Sequence, residues 1–243
     1  MLQNNDIGII GFGAFGRLTA RHLAPHFSLC AYDPAPGSEM EGVARVDLPA
    51  AASCPIVILA APVGAVAETV RAVGPHLRQG ALVLDVGSVK VVPAEAMRLG
   101  LPDHAEIVAT HPLFGPQSAR DGIRGLKIAV CPVRGRNGPR VAAFLRKVLG
   151  LDVILTTPEA HDREAAMVQG LTHLIAKVLV QMEPLPTRMT TRSFELIRQA
   201  VAMVRDDAPE VFQAIERSNP HAPEVRRRFF DLASALDAEL AGG

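Results

Sequence analysis

The chain has 243 residues, 25 Lys+Arg against 25 Asp+Glu, 49% hydrophobic residues, one Tyr and no Trp. Zero formal net charge excludes the electrostatic footprint of non-specific nucleic-acid binding, so no nucleic-acid partner is expected. Cys30, Cys54 and Cys131 are far apart and odd in number; they make neither a disulfide framework nor a zinc site. They fit a reducing cytoplasm, and no metal is expected.

Residues 1–6 carry no basic residue ahead of the first apolar stretch, so no signal peptide is read there. The longest apolar runs, such as residues 56–67, are broken by Pro62 and Gly64 and are too short to span a membrane. Short apolar runs recur at residues 7–10, 28–32, 56–61, 81–86, 106–109, 126–131 and 153–156. They are rich in Val, Ile and Leu and have no regular polar alternate position, the pattern of strands buried on both faces of a parallel sheet. Helix-period stretches such as 15–23, 63–77 and 140–149 lie between them. The alternation predicts an α/β fold, a Rossmann-type and mostly parallel sheet, over residues 1–156.

The pattern changes after Thr156. Thr157-Pro158 reads as a helix start, Thr as N-cap and Pro at the first helical position. From there to Met182 only Gly170 interrupts an apolar helix whose arc (Val168, Leu171, Ile175, Val178 among others) is wider than one packed face needs. Residues 183–186 form a break. Further helices are expected at about 191–205, 209–216 and 223–240. Residues 157–243 are thus predicted to be a smaller all-helical domain for substrate binding and dimerisation, with the active site in the cleft between the domains.

Gly11-Phe12-Gly13-Ala14-Phe15-Gly16 follows the first strand and opens the first helix, and Asp33 ends the second strand. This is the dinucleotide fingerprint in its proper context. Gly11 permits the tight turn, Gly13 admits a pyrophosphate, and Gly16 lets helix and sheet approach. The helix N-terminus at Ala14 and Phe15 offers N–H groups to phosphates. Asp33 can accept both ribose hydroxyls of NAD and repels the 2′-phosphate of NADP. Pro34-Ala35-Pro36 offers no cation to reverse that, so NAD is preferred over NADP. Pro62, after the next strand, joins the cofactor-binding set.

Two later segments sit at strand ends, where open α/β sheets place ligands: Asp85-Val86-Gly87-Ser88-Val89-Lys90, and Thr110-His111-Pro112-Leu113-Phe114-Gly115-Pro116. His111, leaving its strand for a loop, is the best general base, since imidazole titrates near neutrality. Ser88 could orient that imidazole or a substrate hydroxyl. His161-Asp162 reads equally as a solvated first helical turn, and Gln169 with His173, four apart, as a polar pair on an apolar helix.

These motifs together, with Gln169-Gly170-Leu171-Thr172-His173, resemble the prephenate/arogenate dehydrogenase family. Phe114 before Gly115-Pro116, Ser193-Phe194-Glu195-Leu196 and residues 207–219 are most like the plant-type arogenate dehydrogenases. The resemblance implies NAD-dependent oxidative decarboxylation of a cyclohexadienyl substrate, arogenate or prephenate, to tyrosine or 4-hydroxyphenylpyruvate. It implies that His111 takes the 4-hydroxyl proton and that Ser88 holds the hydroxyl or the imidazole and lines the nicotinamide. His173 and Gln169 would face the substrate, and His161 and Asp162 would position or gate. It also implies a homodimer through the helical domain.

Many bacterial members hold the ring carboxylate with an Arg near a Trp; the matching stretch, residues 207–212, has neither. Arg192, Arg198 and Arg205 are the nearby cations, and the clamp stays open among them. An acidic residue near the site would favour the ammonium of arogenate, with Glu159 a candidate by its place beside His161. Two other readings remain. One is another Rossmann oxidoreductase, of β-hydroxyacid dehydrogenase or pyrroline-carboxylate reductase type, which lacks the Ser88 and His111 motifs. The other is a non-catalytic NAD-binding regulatory module.

Overall fold

The computed structural model describes residues 6–37 and 39–242; of residues 1–6, where no signal peptide is read, all but Asp6 lie outside the described residues. The chain divides into two compact units, Met1–His161 and Asp162–Gly243.

The first unit is an eight-stranded sheet in the order β3-β2-β1-β4-β5-β6-β7-β8. Its strands are β1 (Asp6–Ile10), β2 (Ser28–Tyr32), β3 (Val43–Arg45), β4 (Ile56–Leu59), β5 (Leu82–Asp85), β6 (Glu106–Pro112), β7 (Lys127–Arg134) and β8 (Asp152–Leu155). Helices α1 (Ala14–Leu23), α2 (Leu48–Ala52), α3 (Val66–Val73), α4 (Val91–Gly100) and α5 (Gly138–Lys147) connect them. The mostly parallel reading holds, with one exception: β7 runs antiparallel to β6. No crossover helix separates these two strands, and without one the chain returns in the opposite sense. Buried β1, β4, β5 and β6 form the centre, and Val57, Val83 and Ile107 are among its fully enclosed side chains.

Two departures from the sequence reading matter. β3 is a three-residue edge strand, too short to leave a periodic signal. β6 runs three residues past Ala109, through Thr110 and His111 to Pro112, because β7 continues the ladder there by pairing Thr110 with Val130 and His111 with Ala129. His111 therefore sits on a strand, not in a loop.

Helix α6 (Pro158–Ala165) starts as expected: Ala160 N–H donates to Thr157 Oγ1 at 3.2 Å. The single long helix does not continue. A π-helical turn, Ala166–Gly170, separates α6 from α7 (Leu171–Gln181). Gly170, with low helix propensity, closes that wide turn. The second unit continues with α8 (Arg192–Val204), α9 (Pro209–Gln213), a second π turn (Ala214–Ser218) and α10 (Ala222–Ala241). No helix of the described residues is long and apolar enough to cross a membrane.

Candidate active site

The glycine loop has the geometry its spacing predicts. Gly11 has φ +96°, a left-handed conformation that favours glycine. A Cβ on Gly16 would lie 2.2 Å from the Gly11 carbonyl oxygen, whereas a Cβ on Gly13 would meet nothing within 4 Å. Gly11 and Gly16 thus serve the fold, and Gly13 leaves an open cradle at the N-terminus of α1. Ala14 and Phe15 form its first turn. Pro62 is exposed just after β4.

Asp33 stands beside this loop. One carboxylate oxygen accepts from Phe12 N–H at 2.6 Å and the other from Ala35 N–H at 2.9 Å. Residues 34–36 hold no cation, but β3 brings one to Asp33. Arg45 donates to the main-chain oxygens of Asp33 and Ala35, each at 3.3 Å. The guanidinium carbons of Arg17 and Arg45 lie 4.7 and 5.7 Å from the Phe12 ring centroid. Neither contact follows from local pattern: ten residues of loop and strand separate Arg45 from Pro34.

The ends of β5 and β6 are tied together by charge. Lys90 Nζ, fully buried, pairs with Asp85 and donates to Thr110 O at 2.6 Å. Asp85 also accepts from Gly87 N–H at 3.0 Å and Thr110 N–H at 3.3 Å, and Thr110 Oγ1 donates to Asp85 O at 2.5 Å. Burial pushes the Asp85 carboxyl up, while Lys90 and the two N–H donors pull it back. The pair fastens the Gly87-Ser88 loop to the residue before His111. The motif alone assigns neither residue a role. A lysine inside the apolar run 89–92 was the available signal, since a buried charge must be partnered.

His111 is 4% exposed, and its Nδ1 lies 2.8 Å from Nε2 of His161. The Nδ1 partner is thus His161, while Ser88 is half-buried in the loop between β5 and α4. His161 and Asp162 are 6% and 0% exposed, which overturns the solvated-turn alternative. Burial first, then the neighbouring His161 and Lys90, hold the His111 imidazole well below its usual range. The ring is therefore neutral at neutral pH.

The second unit holds its own polar cluster. His173 is buried, and its Nε2 lies 3.8 Å from Asp207 Oδ2. Burial and then the Lys177 charge lower the His173 imidazole, and burial raises the Asp207 carboxyl against the pull of Lys177. Lys177 and Arg205 line the same small recess as His173, and Arg205 is paired with Glu183. Gln169 lies in the π turn. Glu159 is exposed.

Comparison with known proteins follows the same outline. Residues 30–149 match the family model described as the nucleotide-binding domain of prephenate dehydrogenase, a span with Asp33, Ser88 and His111 but not the glycine loop. A probable arogenate/prephenate dehydrogenase of Methanocaldococcus jannaschii is 29% identical over 74% of this chain and 42% of its own length. Chloroplastic arogenate dehydrogenases 1 and 2 of Arabidopsis thaliana are 26% and 28% identical over 97% of this chain, and over 39% and 70% of their own lengths. The chain therefore spans about two fifths of the length of the first two of these relatives. Prephenate dehydrogenase from A. aeolicus, solved with hydroxyphenyl propionate and NAD+, superposes with a TM-score of 0.77 at 19% identity over 99% of this chain and 92% of that one. At that identity the likeness shows the fold.

Proposed function

We propose that this chain is a member of the prephenate/arogenate dehydrogenase family, whose nucleotide-binding-domain model matches residues 30–149, and that it oxidatively decarboxylates arogenate to tyrosine with NAD. The observation that carries the reading is His111: a buried, neutral imidazole at the end of a central strand, backed by His161 and fastened to the Ser88 loop through Lys90.

The glycine loop fits the dinucleotide. Gly13, Ala14 and Phe15 would hold its phosphates at the open N-terminus of α1, and Asp33 would accept the ribose hydroxyls and favour NAD over NADP. Arg45, engaged with main-chain carbonyls, braces that loop. NAD, when bound, supplies the acceptor for the hydride of C4.

Each residue then has a proton or a position to manage. In the tautomer that places the shared proton on His111 Nδ1, Nε2 is the basic nitrogen of the ring and would accept the 4-hydroxyl proton as that C–O bond gains double-bond character. The ring carboxylate leaves as CO₂, its bonding pair enters the ring, and the proton returns from His111 to the phenolic oxygen. Ser88 orients the hydroxyl. His161 holds the His111 ring in its orientation through the Nδ1–Nε2 contact, and Asp162 belongs to the same turn.

Asp207, not Glu159, supports arogenate over prephenate. It is the acidic residue beside His173, matched to an ammonium, with Lys177 matched to a carboxylate and Gln169 on the same helical run. Exposed Val178, Leu196, Ile197, Phe230 and Leu236 support a homodimer through the helical unit. Cys30, Cys54 and Cys131, all buried and none in a disulfide, fit a reducing, cytoplasmic setting.

The test is NAD and NADP reduction measured with arogenate and with prephenate. Turnover of arogenate with NAD, abolished in His111→Asn while NAD still binds, is expected. Bound NAD without turnover of either substrate overturns the reading and favours a non-catalytic module.

A further inference from the structure

Asn219 lies between the second π turn and α10, 1% exposed. Its Nδ2 donates to the main-chain oxygen of Asp162 at 2.7 Å, and its Oδ1 accepts from His221 N–H at 2.9 Å. With one bond on each end, the amide is held in a single orientation.

The carbonyl it grips has a particular place. In an α-helix the oxygen of Asp162 is served by the N–H at position 166, and Ala166 is the first residue of the π turn. There the ladder widens to the fifth residue along. A donor from 57 residues away thus pins the last regular turn before the widening. That turn carries His161, whose Nε2 is 2.8 Å from His111 Nδ1.

We propose that Asn219 is a positioning residue for the base: by pinning the Asp162 carbonyl it fixes the direction of the His161 ring, and so the tautomer and orientation of His111. The kinetic part rests on the dehydrogenase reading; the spectroscopic part does not. Asn219→Asp keeps the acceptor for His221 N–H and removes the donor to Asp162, and Asn219→Gln keeps a donor on a longer arm.

Three readouts separate positioning from general support of the fold. First, the imidazole ¹⁵N resonances of His111 and His161 in the full chain shift in Asn219→Asp; because they report the folded population alone, partial unfolding does not mask the effect. Second, kcat for arogenate falls roughly tenfold while KM for arogenate and NAD stays within about twofold, and Asn219→Gln recovers part of the loss. Third, in a His161→Asn background the Asn219→Asp change costs no further kcat, since both act through one ring. Unchanged ring resonances, or losses in kcat that multiply in the double variant, overturn the proposal. Absence of turnover in the unaltered protein overturns the reaction instead and leaves the ring resonances to decide Asn219.

Discussion

His111 Nδ1 and His161 Nε2 lie 2.8 Å apart, the first on β6 and the second on α6, with both rings buried. Two imidazoles at that distance share one hydrogen-bonded proton. Burial first, then His161 and Lys90, resist a positive charge on the His111 ring, so it titrates well below its usual value of 6.5. The acid limb of kcat/KM for arogenate is accordingly expected at an apparent pKa below 6.5, measured between pH 4.5 and 8.

Stability carries the same sign. In the unfolded chain the His111 and His173 rings titrate normally, and in the folded chain both are lowered. Below about pH 6.5 the unfolded state binds more protons, so stability is full above that pH and falls as pH drops toward the folded values. Each ring adds up to about 1.4 kcal/mol per pH unit to that fall. Urea midpoints from pH 8 to 5 should decline, and His173→Gln should flatten the decline.

Gly13 and Gly16 should separate ligand binding from folding. A Cβ at 13 meets open space, and one at 16 meets the Gly11 carbonyl at 2.2 Å. Gly13→Ala is expected to leave the thermal midpoint within about 2 °C of the parent while weakening NAD tenfold or more by calorimetry. Gly16→Ala should destabilise the fold by roughly 1–3 kcal/mol before any question of binding arises.

Lys90→Met should be among the costliest substitutions in the first unit. It leaves the Asp85 carboxylate buried without its cation, a change of about 3–5 kcal/mol. Lys90→Met combined with Asp85→Asn should recover part of the stability and none of the activity, because Thr110 and the Ser88 loop are then no longer fastened together. Paired denaturation and kinetic measurements read the two effects separately.

Asp207→Asn removes the negative charge beside His173. The expected result is a switch in preference, with kcat/KM for arogenate falling at least tenfold and that for prephenate rising. Equal loss toward both substrates would argue that Asp207 only supports His173.

The sheet, the glycine loop, Asp33 and His111 were legible because each rests on local pattern: apolar runs, fixed glycine spacing, a His at a strand end. What stayed hidden depends on partners distant in sequence. Arg45 reaches Asp33 from an edge strand three residues long. The strand under His111 is set by β7, whose pairing no periodicity announces. The π turn looked like one helix with a stray glycine, since widening by one residue leaves composition unchanged. Asp207 and Asn219 bound a stretch that resembles the family, but their partners, His173 and Asp162, appear only once the helices are packed.

The extension of β6 past Asp85 bears on how this protein would fail. The amides around His111 belong to an interior strand paired with β7 and pinned by Asp85 and Lys90. Such positions exchange their hydrogens only when the whole unit opens. His111 therefore does not fray ahead of its scaffold: under heat or denaturant, slow hydrogen exchange at residues 109–112 and the proposed turnover should vanish together, in one transition.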